Sequence, residues 1–188
     1  MDLKLKSKMN RLVLMIMPAL ICVSFFTGCG GGSYVGFVPA DSLIVNIDKY
    51  VNKKVRTEGY VAHVCGVDGM KMKLRSDGGE VIVVVPHDNK SFDYSLSKNR
   101  VAVYGSVKEN RIDKSYIDER EKGTGLLCHV DQKLCKDTDW VNSKIEAGVA
   151  DSLLKKDIAF LREKLKQQGK GYISIVTIVC DNFETITK

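Results

Sequence analysis

KVRTEGYVAHVCGVDGMKMKL, residues 54–74, reads as two strands joined by a turn. Val55, Thr57, Gly59, Val61, His63 and Cys65 share one parity, so a strand carries His63 and Cys65 on the same face. Residues 66–69 supply the turn. Met70, Met72 and Leu74 then alternate with Lys71, Lys73 and Arg75, which gives the second strand one wet, cationic face.

Working outward, Asp77-Gly78-Gly79 is a hairpin signal, and EVIVVV (80–85) is a β-branched run stopped by Pro86. Residues 87–99 form a polar crossover with His87 as a turn residue, and RVAVYGSVKENRI (100–112) resumes alternation. YISIVTIVC (172–180) is a closing strand. Between these last two lie a charged helical stretch near 112–122, a Gly-rich loop bearing Cys128, His129 and Cys135, and one long helix. That helix runs through Val141, Ile145, Val149, Leu154, Ile158, Leu161 and Leu165 and ends at Gly169 and Gly171. Upstream, Leu43, Ile44, Ile47, Tyr50 and Val51 have helical spacing after a cap at Asp41 or Ser42, and residues 34–40 read as an extended linker. The fold expected is mainly β with α: a five-stranded OB-type Greek-key barrel over 41–188, with a long helix before the last strand and a helical insertion at about 113–169.

The N-terminal residues carry an address. Lys4, Lys6, Lys8 and Arg11 precede an apolar run, residues 12–26, about the length of a signal-peptide core and short of the roughly 20 residues a membrane span needs. Phe26, Thr27, Gly28 and Cys29 resemble the lipobox of bacterial lipoproteins, which implies a signal peptide over 1–28 and a lipidated Cys29 on a tether reaching to residue 40. Gly30, where an Asp would retain the protein, implies an outer-membrane anchor facing the periplasm. Losing Lys4, Lys6, Lys8 and Arg11 against Asp2 lowers the formal charge from +6 to about +3. The remaining charges alternate in sign, a solvated surface more than a nucleic-acid footprint.

The barrel motifs carry a second resemblance. EGYVAHVC with Gly69, Lys71 and Leu74, then VYGSVKENRID, the Cys128-His129 pair and GKGYISIV, resemble in order the OB-fold envelope lipoproteins of Bacteroidota, within the tRNA-anticodon-like OB superfamily. The likeness covers roughly 41–187 and departs at Val67 and Asp68, where a histidine commonly follows the hairpin cysteine in that group. It implies a fold and a location, and no activity.

Three chemistries compete for the side chains. Lys71, Lys73 and Arg75 are candidate ligand-binding residues for an acidic ligand or an envelope protein; with 7% aromatic residues, oligonucleotide binding is disfavoured. His63, Cys65, Cys128 and His129 are a candidate Zn or Cu site, or a thiol-redox site. Cys65, Cys128, Cys135 and Cys180 could instead form disulfides in an oxidising compartment, or stay inert. GxSxG, P-loop and HExxH patterns are absent, and a Cys65–His63 nucleophile is disfavoured because neighbours on one strand face point in parallel whereas a base should approach the thiol from another element, so no enzyme is expected. The expected function is a lipid-anchored binding or structural module.

Overall fold

The computed structural model describes residues 34–66, 69–88 and 90–187; the signal peptide expected over 1–28, Cys29 and the rest of the segment before Tyr34 lie outside them. The described part opens with a short strand, β1 (Tyr34–Phe37), and two short helices, α1 (Ala40–Val45) and α2 (Ile47–Tyr50). The expected linker at 34–40 is therefore partly a strand: β1 pairs in parallel with the start of β2 (Lys54–Val64). Asp41 does not cap α1. Its carboxylate accepts from Ser76 Oγ at 2.5 Å and from Gly78 N, clamping the next hairpin turn.

That hairpin joins β3 (Met72–Arg75) to β4 (Val81–Pro86). After a 3-10 turn at Tyr94–Leu96 comes β5 (Arg100–Asp113), then α3 (Lys114–Lys122), α4 (Thr138–Glu146), α5 (Ala150–Gln168) and β6 (Tyr172–Thr185). The expected single long helix is two. Gly148 adopts φ +67°, a left-handed turn that breaks the helical pattern between α4 and α5. Among the described residues no helix is long and apolar enough to cross a membrane.

Five strands close a barrel in the order β2-β3-β4-β6-β5, with β5 returning to β2 and β1 added outside. All pairings in the barrel are antiparallel except β4 with β6. The barrel is filled by one face of each strand, including Val55, Met72, Leu74, Ile82, Val84, Val103 and Ile178, and is plugged by Leu43 and Ile47 of the short helices. β4 is buried on both faces, which explains its unbroken β-branched run. Ile82 and Val84 face the barrel core, while Val83 and Val85 face a second cluster with Cys128, Val130 and Ile175. A third cluster, around Ile117, Leu127, Ile158, Leu161 and Ile173, packs α3 and α5 against the far ends of β5 and β6.

At Gly105 the β5–β6 register shifts, and the backbones approach so closely that an added Cβ would overlap the Val179 carbonyl and lie 2.7 Å from the Ile178 side chain. Gly105→Ala is expected to cost about 3 kcal/mol or more and to lower Tm by roughly 6–12 °C, measured by calorimetry.

Candidate functional site

His63 owes its direction to a bulge. Along β2, Val55, Thr57, Gly59 and Val61 point inward as their parity requires. The register with β3 then slips, pairing Val61 with Leu74 but His63 with Lys73 and Val64 with Met72. The extra residue hands the inward position to Val64 and turns His63 outward beside Lys73. Simple alternation would have put His63 in the core.

The outward face of this hairpin meets a loop from the other half of the sequence. Residues 126–135 fold on themselves through a Leu127–Leu134 bridge, with Cys128 N donating to Lys133 O at 2.6 Å and Cys135 N to Leu126 O at 2.8 Å. Two lysines pin the loop down. Lys71 Nζ forms an ion pair with Asp131 at 2.7 Å, and Lys73 Nζ donates to the His129 carbonyl at 3.1 Å. The imidazoles of His63 and His129 then meet edge to face, with ring centres 4.3 Å apart.

Beside this contact lies a cavity of about 180 Å³ between the loop, the outer face of β3, β4 and β6, and α5. Val81, Val83, Leu161 and Ile175 form apolar walls, and Lys73, His129 and Lys164 bring polar groups to it. Lys164 also lies over the exposed ring of Phe160, 6.0 Å from its centre. Among the described residues, no carboxylate lies within ion-pair distance of Lys73 or Lys164. Larger hollows, about 330 and 520 Å³, run along α4 and α5; the first has Asp151 as its charged lining residue, and in the second Arg162 is held by Asp118 at 2.9 Å and by Glu121.

Electrostatics follow from that imbalance. Burial lowers the Lys73 pKa, and the charges of Arg75 and Lys164 lower it further. Burial first, then Lys73, pushes the His63 pKa down; burial, His63 and Lys73 do the same to His129. Lys71 behaves oppositely, because its bond and charge with Asp131 outweigh the effect of burial and hold its pKa up. The cationic strip expected on the second strand thus divides. Lys71 is neutralised by Asp131, Lys73 faces the cavity, and Arg75 is exposed.

Of the candidate metal ligands, His63 and His129 come together, while no group of three or more His, Cys, Asp or Glu side chains suited to a metal occurs among the described residues. The disulfides considered from sequence are not formed: Cys65, Cys128, Cys135 and Cys180 are all free thiols. Cys128 is held above the ordinary thiol range by burial, partly offset by backbone N–H groups of Val130 and Asp131. Burial and Asp181 push Cys180 up to about 11. Lys164, Phe160 and Asp131 escaped the sequence reading because nothing local ties them to a hairpin many residues upstream.

Thiol titration of a chain beginning at Gly30 should find four free thiols in denaturant without reductant, and natively the half-buried Cys65 and Cys135 should label well before Cys128 and Cys180. Because the two contacting imidazoles, His63 and His129, have folded pKa values below the ordinary 6.5, the unfolded chain takes up protons first as pH falls. Their contribution to stability is full above about pH 7 and declines through the imidazole range, so the loss of Tm between about pH 7 and pH 5 should shrink in the His63→Gln, His129→Gln double variant.

Comparison with protein-family models finds none that matches this chain, and comparison with curated proteins finds no match either.

Proposed function

We propose that this chain is a lipid-anchored, non-enzymatic binding module of the cell envelope, an OB-type barrel that takes a small anion with an apolar portion. The observation that carries the reading is the cavity in which Lys73 and Lys164 have no carboxylate partner among the described residues, above walls of Val81, Val83, Leu161 and Ile175. A half-buried ammonium costs free energy unless a counter-charge reaches it, and a ligand anion would supply one. The same charge disfavours a metal cation at the His63–His129 contact.

The OB-type reading is supported by the closure order β2-β3-β4-β6-β5, with helices between the last two strands, and by the resemblance to Bacteroidota envelope lipoproteins. In OB barrels the face of the second and third strands takes the ligand. Here that face is β3 and β4, and the 126–135 loop and α5 pack against it, which favours a small ligand over an oligonucleotide. A non-enzymatic role fits the buried Cys128, whose raised pKa is the reverse of what a nucleophile needs. The anchor is supported by the residues Phe26-Thr27-Gly28-Cys29 after an apolar core, with outer-membrane location following from Gly30.

The test is a titration with benzoate and with inorganic phosphate, followed through the ring signals of the three histidines. His63 and His129 should shift while His87, which lines a different hollow, should not. Lys73→Gln should weaken binding about tenfold, and exposed Arg75→Gln less than about threefold. Absence of any shift with both anions, or equal shifts at all three rings, sinks the reading.

A further inference from the structure

β1 has every residue exposed, unlike the other described strands. Tyr34 is 43% exposed, Val35 55% and Phe37 54%. Among the described residues β1 pairs with β2 alone, and none of them lies along its second edge as a strand. An open apolar edge invites a partner, and soluble sheets normally blunt it.

Two basic groups frame the rings. Lys54 Nζ lies 5.7 Å from the centre of the Tyr34 ring, and the Arg56 guanidinium 5.4 Å from that of Phe37. Each is already matched, Lys54 by Asp181 at 2.8 Å and Arg56 by Glu58 at 2.6 Å. The patch is therefore aromatic and aliphatic with its charge balanced. That composition suits the interfacial zone of a bilayer, where amphipathic rings settle at headgroup level, better than it suits an acidic partner. Chain length points the same way. Four residues separate Tyr34 from Cys29, so a lipid on Cys29 would hold β1 within about 18 Å of the membrane whatever path the segment takes.

We propose that β1 is a membrane-contact strand, with Tyr34, Val35 and Phe37 seating the barrel on the interface of a zwitterionic bilayer. The inference rests on the lipidation of Cys29 proposed above. Acyl chains would hold the protein at the surface, and the strand would set which side of the barrel faces it. A second copy pairing edge to edge with β1 is the competing occupant.

The experiment uses the full chain carrying Phe37→Trp and Trp140→Phe, purified from membranes with the acylation of Cys29 read by mass spectrometry. It is reconstituted into phosphatidylcholine vesicles with or without bromine atoms high on the acyl chains. Trp at position 37 should lose about half its emission to the brominated lipid, as expected for a side chain seated at the headgroup–acyl boundary. The loss should be the same when phosphatidylglycerol is added. Val35→Trp in the same background is a second reporter if the first variant fails to fold by circular dichroism. An acylated chain whose reporter is not quenched overturns the membrane contact alone. Quenching that appears only with phosphatidylglycerol overturns the charge-balanced interface, and an unquenched reporter with chemical crosslinking to double mass gives the edge to a second copy. A Cys29 without acyl mass removes the anchor, and this inference falls with it.

Discussion

The long antiparallel ladder between β5 and β6 is the constraint on which the rest of the molecule depends. It runs from Val101 opposite Thr185 to Asp113 opposite Tyr172, longer than the barrel needs. Its barrel end closes the sheet, while its far end carries Ile112 and Ile173 into the cluster that receives α3 and α5. The insertion leaves and rejoins the sheet at the same point: α3 begins at Lys114, capped by the Asp113 side chain, and Gly169 in the left-handed region ends α5 just before β6. Nearly sixty residues of helix and loop are thereby returned to the face they started from, and the 126–135 loop is carried onto β4.

Much of this was legible along the chain. The β3–β4 turn follows from Asp77-Gly78-Gly79, and β4 itself from the β-branched run that Pro86 stops. The helical spacing from Val141 to Leu165 marks α4 and α5, although Gly148 divides them. The misses share a physical cause, which is that backbone irregularities and long-range pairs leave little local trace. Nothing around Val61 or His63 announces a bulge, yet that one residue decides whether an imidazole sits in the core or on the surface. Asp41 has the look of a helix cap and serves a turn in another hairpin. Tyr34–Phe37 looks like linker because Gly36 and the following Pro39 interrupt it, although tertiary pairing makes it a strand.

The candidate site was half legible. His63, His129 and Lys73 stand out as residue types, and the 4.3 Å ring contact joins two segments that sequence alone leaves separate. What sequence could not supply is the sorting of the lysines. Lys71 and Lys73 are two residues apart on one strand face, but one meets Asp131 and the other a backbone carbonyl beside a cavity. Their chemistry differs because of what the loop brings to each.

α4 has no buried residue, and Asp137 holds its first turn by accepting from Trp140 N at 2.8 Å. A helix so lightly attached can open without disturbing the barrel or the clusters around α5, so the molecule has two tempos of motion. Amide exchange in the sheet and its covering loop should then require opening of the whole domain, while residues 137–148 open on their own. A protease would find its first cut there, and sequence drift would meet the least resistance there.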